Sequence, residues 1–203
     1  MSESVQGVGS SGGQVPDDLV VLAEETALEA RTFLAAARGV AGGASPETAI
    51  PLLLLAVSQV LVTGARLGAI MDVVPFERFE PDLGSQEDVD DIRDGLAALL
   101  RGIDEYVDVV DPLLRGDVVS GSLSGDIADV ASDLMHGLRH HAEGAVSEAL
   151  WWWQFSYLAT WGSRAASALR VLQSLLAHIR LDADEDAIAQ AQFEALHADE
   201  QQG

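Results

Sequence analysis

Residues 145–179 read AVSEALWWWQFSYLATWGSRAASALRVLQSLLAHI. Within them Trp151, Phe155, Leu158, Gly162, Ala165, Leu169, Leu172, Leu176 and Ile179 recur in alternating steps of four and three. Such a repeat keeps one stripe on one side of an α-helix, as side-by-side packing of near-parallel helices requires. The stretch predicts a rod of about 50 Å at 1.5 Å per residue. A helix this long needs comparable partners, so the fold class follows from it: all-α, an up-and-down bundle.

Working outward, the other elements fit that class. Asp17 opens a first helix with Leu19, Leu22, Ala23, Thr26, Ala30, Phe33, Leu34 and Ala37 at helical spacing, closed by Gly39 and Gly42-Gly43. Ser45-Pro46-Glu47 is a start signal for a second helix running to about Met71, with Pro51 expected to kink or restart it. The stretch from Ala49 to Ile70 has no acid and a single Arg66, but Ser58, Gln59, Thr63 and Gly64 interrupt it. It reads as a buried central helix rather than a membrane span. Asp72 to Ser85 is a loop carrying Phe76 and Phe79. A third helix is expected over 86–100, a short helical piece over Ile103–Val110, and a fourth helix over 122–142. No period-two strand is evident. The expected fold is four long helices plus a short one. Residues 1–15 read as a disordered Gly/Ser-rich tail, 16–181 as a single domain, and 182–203 as an acidic tail, frayed helix or disordered.

The 203-residue chain carries a formal charge of −22, with 11 basic residues, all of them arginine. With no lysine there is neither a Schiff-base lysine nor a phosphate-loop lysine. A field this negative repels nucleic-acid phosphates and anionic lipid. Expected partners are therefore neutral, basic or metal ions, with no direct nucleic acid and no membrane. No cysteine is present, which removes disulfides, thiolate metal sites and cysteine nucleophiles and fits a cytoplasmic location.

On the fourth helix Asp126, Asp129, Asp133, His136 and His140 fall within roughly an 80° arc at 100° per residue. They flank the core stripe Leu123, Ile127, Val130, Leu134 and Leu138. Carboxylates and imidazoles one turn apart can share a divalent ion. Asp126, Asp129, Asp133 and His136, with Asp104 and Glu105 from the short element, are the candidate metal ligands, and magnesium or manganese the candidate ion. The competing reading is a solvated or ion-paired acidic shoulder. A short turn near Glu143-Gly144 would bring Arg164 beside Asp126 or Asp129. Trp151-Trp152-Trp153 points in three directions at once. Trp152, Trp153, Tyr157 and Trp161, with Phe79 and Arg164, are the candidate ligand or partner surface, against the alternative of a wide aromatic core.

The segments Asp126-Ile127-Ala128-Asp129, Asp133-Leu134, Trp153-x-Phe155, Trp161-Gly162 and Ala168-Leu169-Arg170 follow one another in order. So do Leu52–Leu55, Asp72-Val73-Val74-Pro75, and Asp104-Glu105-Tyr106 to Asp111-Pro112. Together they resemble the bacterial family catalogued as domain of unknown function 5063, in its actinobacterial branch, over about residues 17–182. The resemblance implies an all-helical cytosolic protein and no established activity. Other branches carry a histidine before the Trp-Gly pair, where this chain has Thr160, and that departure weakens the metal reading.

Three functions remain. The first is a binding or assembly protein, with a homodimer or protein partner along the 145–179 face. The second is a divalent-metal-dependent hydrolase with nucleotides as candidate substrates: Asp129 and Asp133 hold the ion, Asp126 or Glu105 activates water, and Arg164 meets phosphate. The third is an apolar-ligand pocket lined by Trp152, Trp153 and Phe79.

Overall fold

Six helices and one β-hairpin follow one another along the chain in a computed structural model that describes residues 15–43, 45–76, 87–109 and 118–198. The helices are α1 (Asp17–Ala41), α2 (Pro46–Ala69), α3 (Glu87–Leu99), α4 (Leu123–Ala142), α5 (Val146–Ser156) and α6 (Gly162–Ala198). The strands β1 (Glu105–Val109) and β2 (Val118–Ser122) lie between α3 and α4. A π-helical turn, Tyr157–Trp161, joins α5 to α6. The all-helical bundle expected from the sequence is the observed fold. Phe79 falls outside the described residues.

Helix α4 holds the bundle together, packing against α1, α3, α5 and α6, while α2 packs against α1 and α6. Phe33, Ile50, Leu53, Leu67, Ile92, Leu96, Leu123, Ile127, Leu134, Trp153 and Trp161 form the fully buried centre. Helix α2 is long and apolar enough to cross a membrane by length and composition. Its inner face, Leu53, Val57, Val60 and Leu67, is core. Of the kink or restart expected at Pro51, the restart does not occur: α2 runs through it as one helix. The N–H that Pro51 lacks would have met the carbonyl of Glu47, an exposed residue in the first turn, where solvent can take the bond instead.

The structure corrects two expectations. The described part of the expected short helix, 103–109, is not helical. Glu105-Tyr106-Val107-Asp108-Val109 alternates exposed and half-buried positions and pairs antiparallel with Val118–Ser122, Tyr106 opposite Gly121 and Val109 opposite Val118. Gly102 starts the turn into β1 at φ 92°, a conformation that suits glycine. Five alternating residues are too short a signal when the paired strand reads as loop.

The second correction concerns the stripe on residues 145–179. The ladder that faces the core is Leu150, Trp153, Tyr157, Trp161, Ala165, Ala168 and Leu172; Trp151 and Trp152 are half-buried, and Phe155 and Leu158 are 52% and 65% exposed. The N–H of Gly162 donates to the carbonyl of Tyr157, five residues back. That π turn adds one residue and swings the upstream face by roughly 100°. If one residue within 157–161 is discounted, the run of three consecutive steps of four is broken and the set alternates threes and fours throughout. The extra residue broke the phase, so the regular stripe matched the core only from Ala165 to Leu176, and Ile179 is exposed.

Candidate functional site

The sequence of α4 begins with a cap. Ser122 Oγ accepts from the Gly125 N–H at 3.2 Å. Asp104 accepts from the Ser124 N–H at 2.8 Å and from its hydroxyl at 2.6 Å. A carboxylate suits a helix N-terminus, where backbone N–H groups are unpaired and the dipole is positive. Asp104 therefore anchors the entry to α4 and is not placed as a metal ligand. Glu105, its neighbour, is exposed on β1.

One turn further, the acidic stripe meets arginines from two other helices. Asp126 is buried at 4% exposure. It accepts from the Tyr106 hydroxyl of β1 and from Arg164 Nη1 of α6 at 3.1 Å. Arg164 also reaches Asp129 at 3.2 Å, and Arg93 of α3 reaches Asp129 at 3.2 Å. Asp133 accepts from the Thr160 hydroxyl at 2.8 Å, and its backbone carbonyl accepts from Trp152 Nε1 at 2.9 Å. His136 stacks on Trp152, with ring centroids 4.0 Å apart. The expected contact of Arg164 with Asp126 or Asp129 is present with both.

Burial raises the Asp126 carboxyl above the ordinary carboxylate range, against the pull of Tyr106 and Arg164. Burial likewise raises Asp133, opposed by its bond from Thr160. The Tyr106 phenol is pushed upward by burial and then by the adjacent Asp126. Every one of these groups is engaged within the chain. Among the described residues no three His, Asp or Glu side chains stand together in a way that could hold a metal ion. Asp126 and Asp129 meet at Arg164 Nη1, but Asp126, Asp129, Asp133, His136, Asp104 and Glu105 are not gathered into one cluster. The stripe is a clamp that joins α3, α4, α6 and the hairpin. The crevice beside it, lined by Asp129, Ser132, Asp133, Thr160 and Arg164, measures about 210 Å³.

Sequence reasoning missed a second clamp. Asp108 on β1 accepts from the Ser167 hydroxyl and from Arg170 Nη2 at 2.8 Å. The Ser167 bond, foremost, holds the Asp108 carboxyl below the ordinary range. A helical reading of 103–110 hides this signal, because only the alternation of a strand turns Tyr106 and Asp108 to the same side.

The aromatic candidates divide. Trp153 and Trp161 are 0% exposed. Trp153 Nε1 donates to the Leu134 carbonyl at 3.1 Å, with its indole packed over Gly137. Trp161 Nε1 donates to the Trp153 carbonyl at 3.3 Å. Both are core, which corrects their placement on a surface. Tyr157 is half-buried and packs against Gly64, Gly68 and Gly162, where any Cβ would meet its ring. Trp152 is half-buried between α4 and the outer face of α5.

The face left open is an aromatic ridge. Trp151 stacks on Phe155 at 5.6 Å and 12°, and Trp152 meets Trp151 edge-on at 6.2 Å. Leu158 continues the ridge. No charged residue occurs between Glu148 and Arg164. A strap, Met71 to Phe76, lies alongside. Gln154, a buried residue that the sequence reading passed over, donates to the carbonyls of Leu67 at 2.9 Å and Met71 at 3.3 Å and accepts from the Val73 N–H at 2.8 Å. Glu148 accepts from the Phe76 N–H at 2.8 Å. Met71, Val74 and Phe76 are thereby held outward and exposed. Between the strap and the start of α1 runs an apolar cleft of about 560 Å³, lined by Leu19, Ile70, Val73, Val74 and Phe76 with Asp18 and Asp72 at its edge.

The fold has a solved counterpart in protein BF1032 from Bacteroides fragilis, a crystal structure that is 18% identical in sequence. It superposes with a TM-score of 0.56 over 78% of this chain and 90% of that one, a likeness of fold alone. No curated protein matches the chain. Residues 18–178 match the model of the domain of unknown function DUF5063, and the chain belongs to that family.

Proposed function

We propose that the protein is a binding and assembly protein, whose working surface is the α5 ridge together with the Met71–Phe76 strap and its cleft. The observation that carries this reading is the contrast between two surfaces. The acidic stripe is spent within the chain, Asp126 and Asp129 on arginines and Asp133 on Thr160, whereas Phe155, with half-buried Trp151 stacked on it, Leu158 and three apolar strap residues face outward. Exposed apolar patches of this kind mark binding sites in soluble proteins, and tryptophan is enriched among their anchors. Carboxylates at the edge, Asp18, Asp72 and Glu148, favour a basic protein segment that presents an apolar face. A second copy of this chain fits poorly there, since it would set the same carboxylates against each other. A small apolar molecule is the second reading, favoured by the size of the cleft. The cysteine-free sequence supports a cytoplasmic setting, and the arginine-only, alanine-rich composition supports the actinobacterial branch of the family.

The test is a titration of the full chain with a designed Leu/Lys helix, read by intrinsic tryptophan fluorescence. A scrambled peptide of equal charge without an apolar face serves as control. The expected result is saturable binding of the amphipathic peptide alone, weakened at least about tenfold by Phe155→Glu, the ratio that corresponds to 1.4 kcal/mol. Equal binding of both peptides, or no effect of Phe155→Glu, would mean that charge alone acts and the ridge is idle.

A further inference from the structure

A groove between α1 and α4 reverses the charge of the rest of the chain. Arg31 and Arg38, two turns apart on α1, and Arg139 of α4 line it. No carboxylate lines it among the described residues. The whole chain has 33 carboxylates against 11 arginines, so three arginines without an acid make a local change of sign. The floor is apolar: Leu34 is buried, and Met135 and Leu138 are half-buried. Ala35 and Ala142, both small, keep the space between the helices open. Arg38 Nη2 lies 3.8 Å from Met135 Sδ, so that side chain reaches across from α1 to α4. The groove measures about 330 Å³, within the range of small-molecule sites. Arg66, Arg93, Arg164 and Arg170 each hold a carboxylate at 2.6–3.2 Å. Arg31 is exposed and has no ion-pair partner among the described residues. On the same faces of these helices, Glu24 lies two turns before Arg31 and meets His141 at 3.4 Å, and Glu143 lies one turn beyond Arg139. Neither lines the groove.

We infer that this groove binds a small amphipathic anion, its carboxylate or phosphate head on Arg31 and its short apolar body over Leu34, Met135 and Leu138. The guanidinium fork matches the paired oxygens of either head. Arg38 and Arg139 add positive field at the same place, whatever else they touch. The thioether of Met135 adapts its shape to the body of the ligand. Charge also sets the size of the ligand. A chain of −22 repels anions at long range, so the head is held only by contacts at short range. A bare inorganic anion has no apolar area to bury against that repulsion, whereas an alkyl or aryl body does. A polyanion such as nucleic acid would run out of the groove into the negative field on either side. The inference does not depend on the α5 ridge or the strap, neither of which contributes a residue to the groove.

The experiment is calorimetric titration of the full chain with octanoate and with octyl phosphate, beside octanol and inorganic phosphate as the separate halves of these probes. Saturable binding of at least one amphipathic anion is expected, at least about tenfold tighter than that of octanol or of inorganic phosphate. The tighter of the two anions names the preferred head. Arg31→Gln is expected to weaken binding at least about tenfold, and Arg31→Lys, which keeps the charge without the fork, to weaken it less. Ala35→Glu sets a carboxylate in the groove at an exposed helical position and is expected to abolish binding with the helical circular dichroism unchanged. Phe155→Glu, on the ridge, is expected to leave binding as it is. A Kd weaker than about 1 mM for both anions would overturn the inference. So would octanol binding as tightly as octanoate, or binding that survives both Arg31→Gln and Ala35→Glu.

Discussion

Replacing Arg164 with methionine removes the one cation among the described residues that touches both Asp126 and Asp129. The Asp126 side chain is 6% exposed and that of Arg164 48%. After the change, Asp126 keeps the Tyr106 hydroxyl as donor and has no counter-charge in contact among the described residues. Stranding one member of a fully buried pair costs about 3–5 kcal/mol. Two features lower that figure here. Water reaches the gap through the half-exposed Arg164 position, and the carboxylate can take up a proton instead. At pH 7, protonating a carboxyl of ordinary pKa, about 3.9, costs about 4 kcal/mol, which caps the loss. The expected destabilisation at pH 7 is therefore about 2–3 kcal/mol. In urea, with a slope of about 2 kcal/mol/M, the midpoint falls by about 1 M or slightly more. Intrinsic fluorescence reads the transition, because Trp153 and Trp161 are fully buried. The sign of the pH dependence follows from linkage. Asp126 is raised in the folded state, so the folded protein binds this proton more tightly than the unfolded chain. Its ionisation costs stability as pH rises above the ordinary carboxylate range, and that cost recedes as pH falls. Arg164→Met raises the carboxyl further, so the deficit of the variant must shrink on acidification. At pH 5 the protonation ceiling is only about 1.5 kcal/mol. A loss below about 0.5 kcal/mol at pH 7, the range of ordinary surface changes, would refute the account. So would a deficit that grows at pH 5.

Two further outcomes follow from packing. A Cβ at Gly137 would sit 2.1 Å from Trp153 Nε1, so Gly137→Ala is expected to push the indole off the Leu134 carbonyl. Overpacking plus a weakened buried hydrogen bond should cost about 2–4 kcal/mol, read as a lowered thermal midpoint. Deleting Ala159 removes the extra residue of the π turn and leaves both flanking faces in phase. That variant should still unfold cooperatively, whereas deleting Ala166 from the regular part of α6 rotates every upstream buried residue by roughly 100° and should abolish the cooperative transition. Equal behaviour of the two deletions would show that the π turn does not set the phase.

The helices were legible because their signals are local. Ser122 before α4, proline and acid at the start of α2, and glycine at helix ends report backbone hydrogen bonding within one turn. Apolar spacing reports which class of fold can bury the surface. The pairing of Arg164 with Asp126 was also within reach, because a short turn between two antiparallel helices makes partners countable outward from it. The acidic stripe was legible as a stripe, but whether its carboxylates meet a metal or an arginine depends on what the facing helices present. Arg93 and Tyr106 come from elements whose position no local pattern gives.

The sequence by itself determined the helical class, the start of each long helix and the charge that selects among partners. These depend on propensity, capping and composition, which act over a few residues. Only the tertiary structure decided that 105–109 is a strand, that Trp153 and Trp161 are core while Phe155 and Leu158 face outward, and that the aspartates are clamped. The first needs a paired segment distant in the chain. The second turns on one inserted residue, which shifts a helix face by a quarter turn or more with no change in composition. The third depends on desolvation and on which charges lie within a few ångströms, quantities that exist only once the chain is folded.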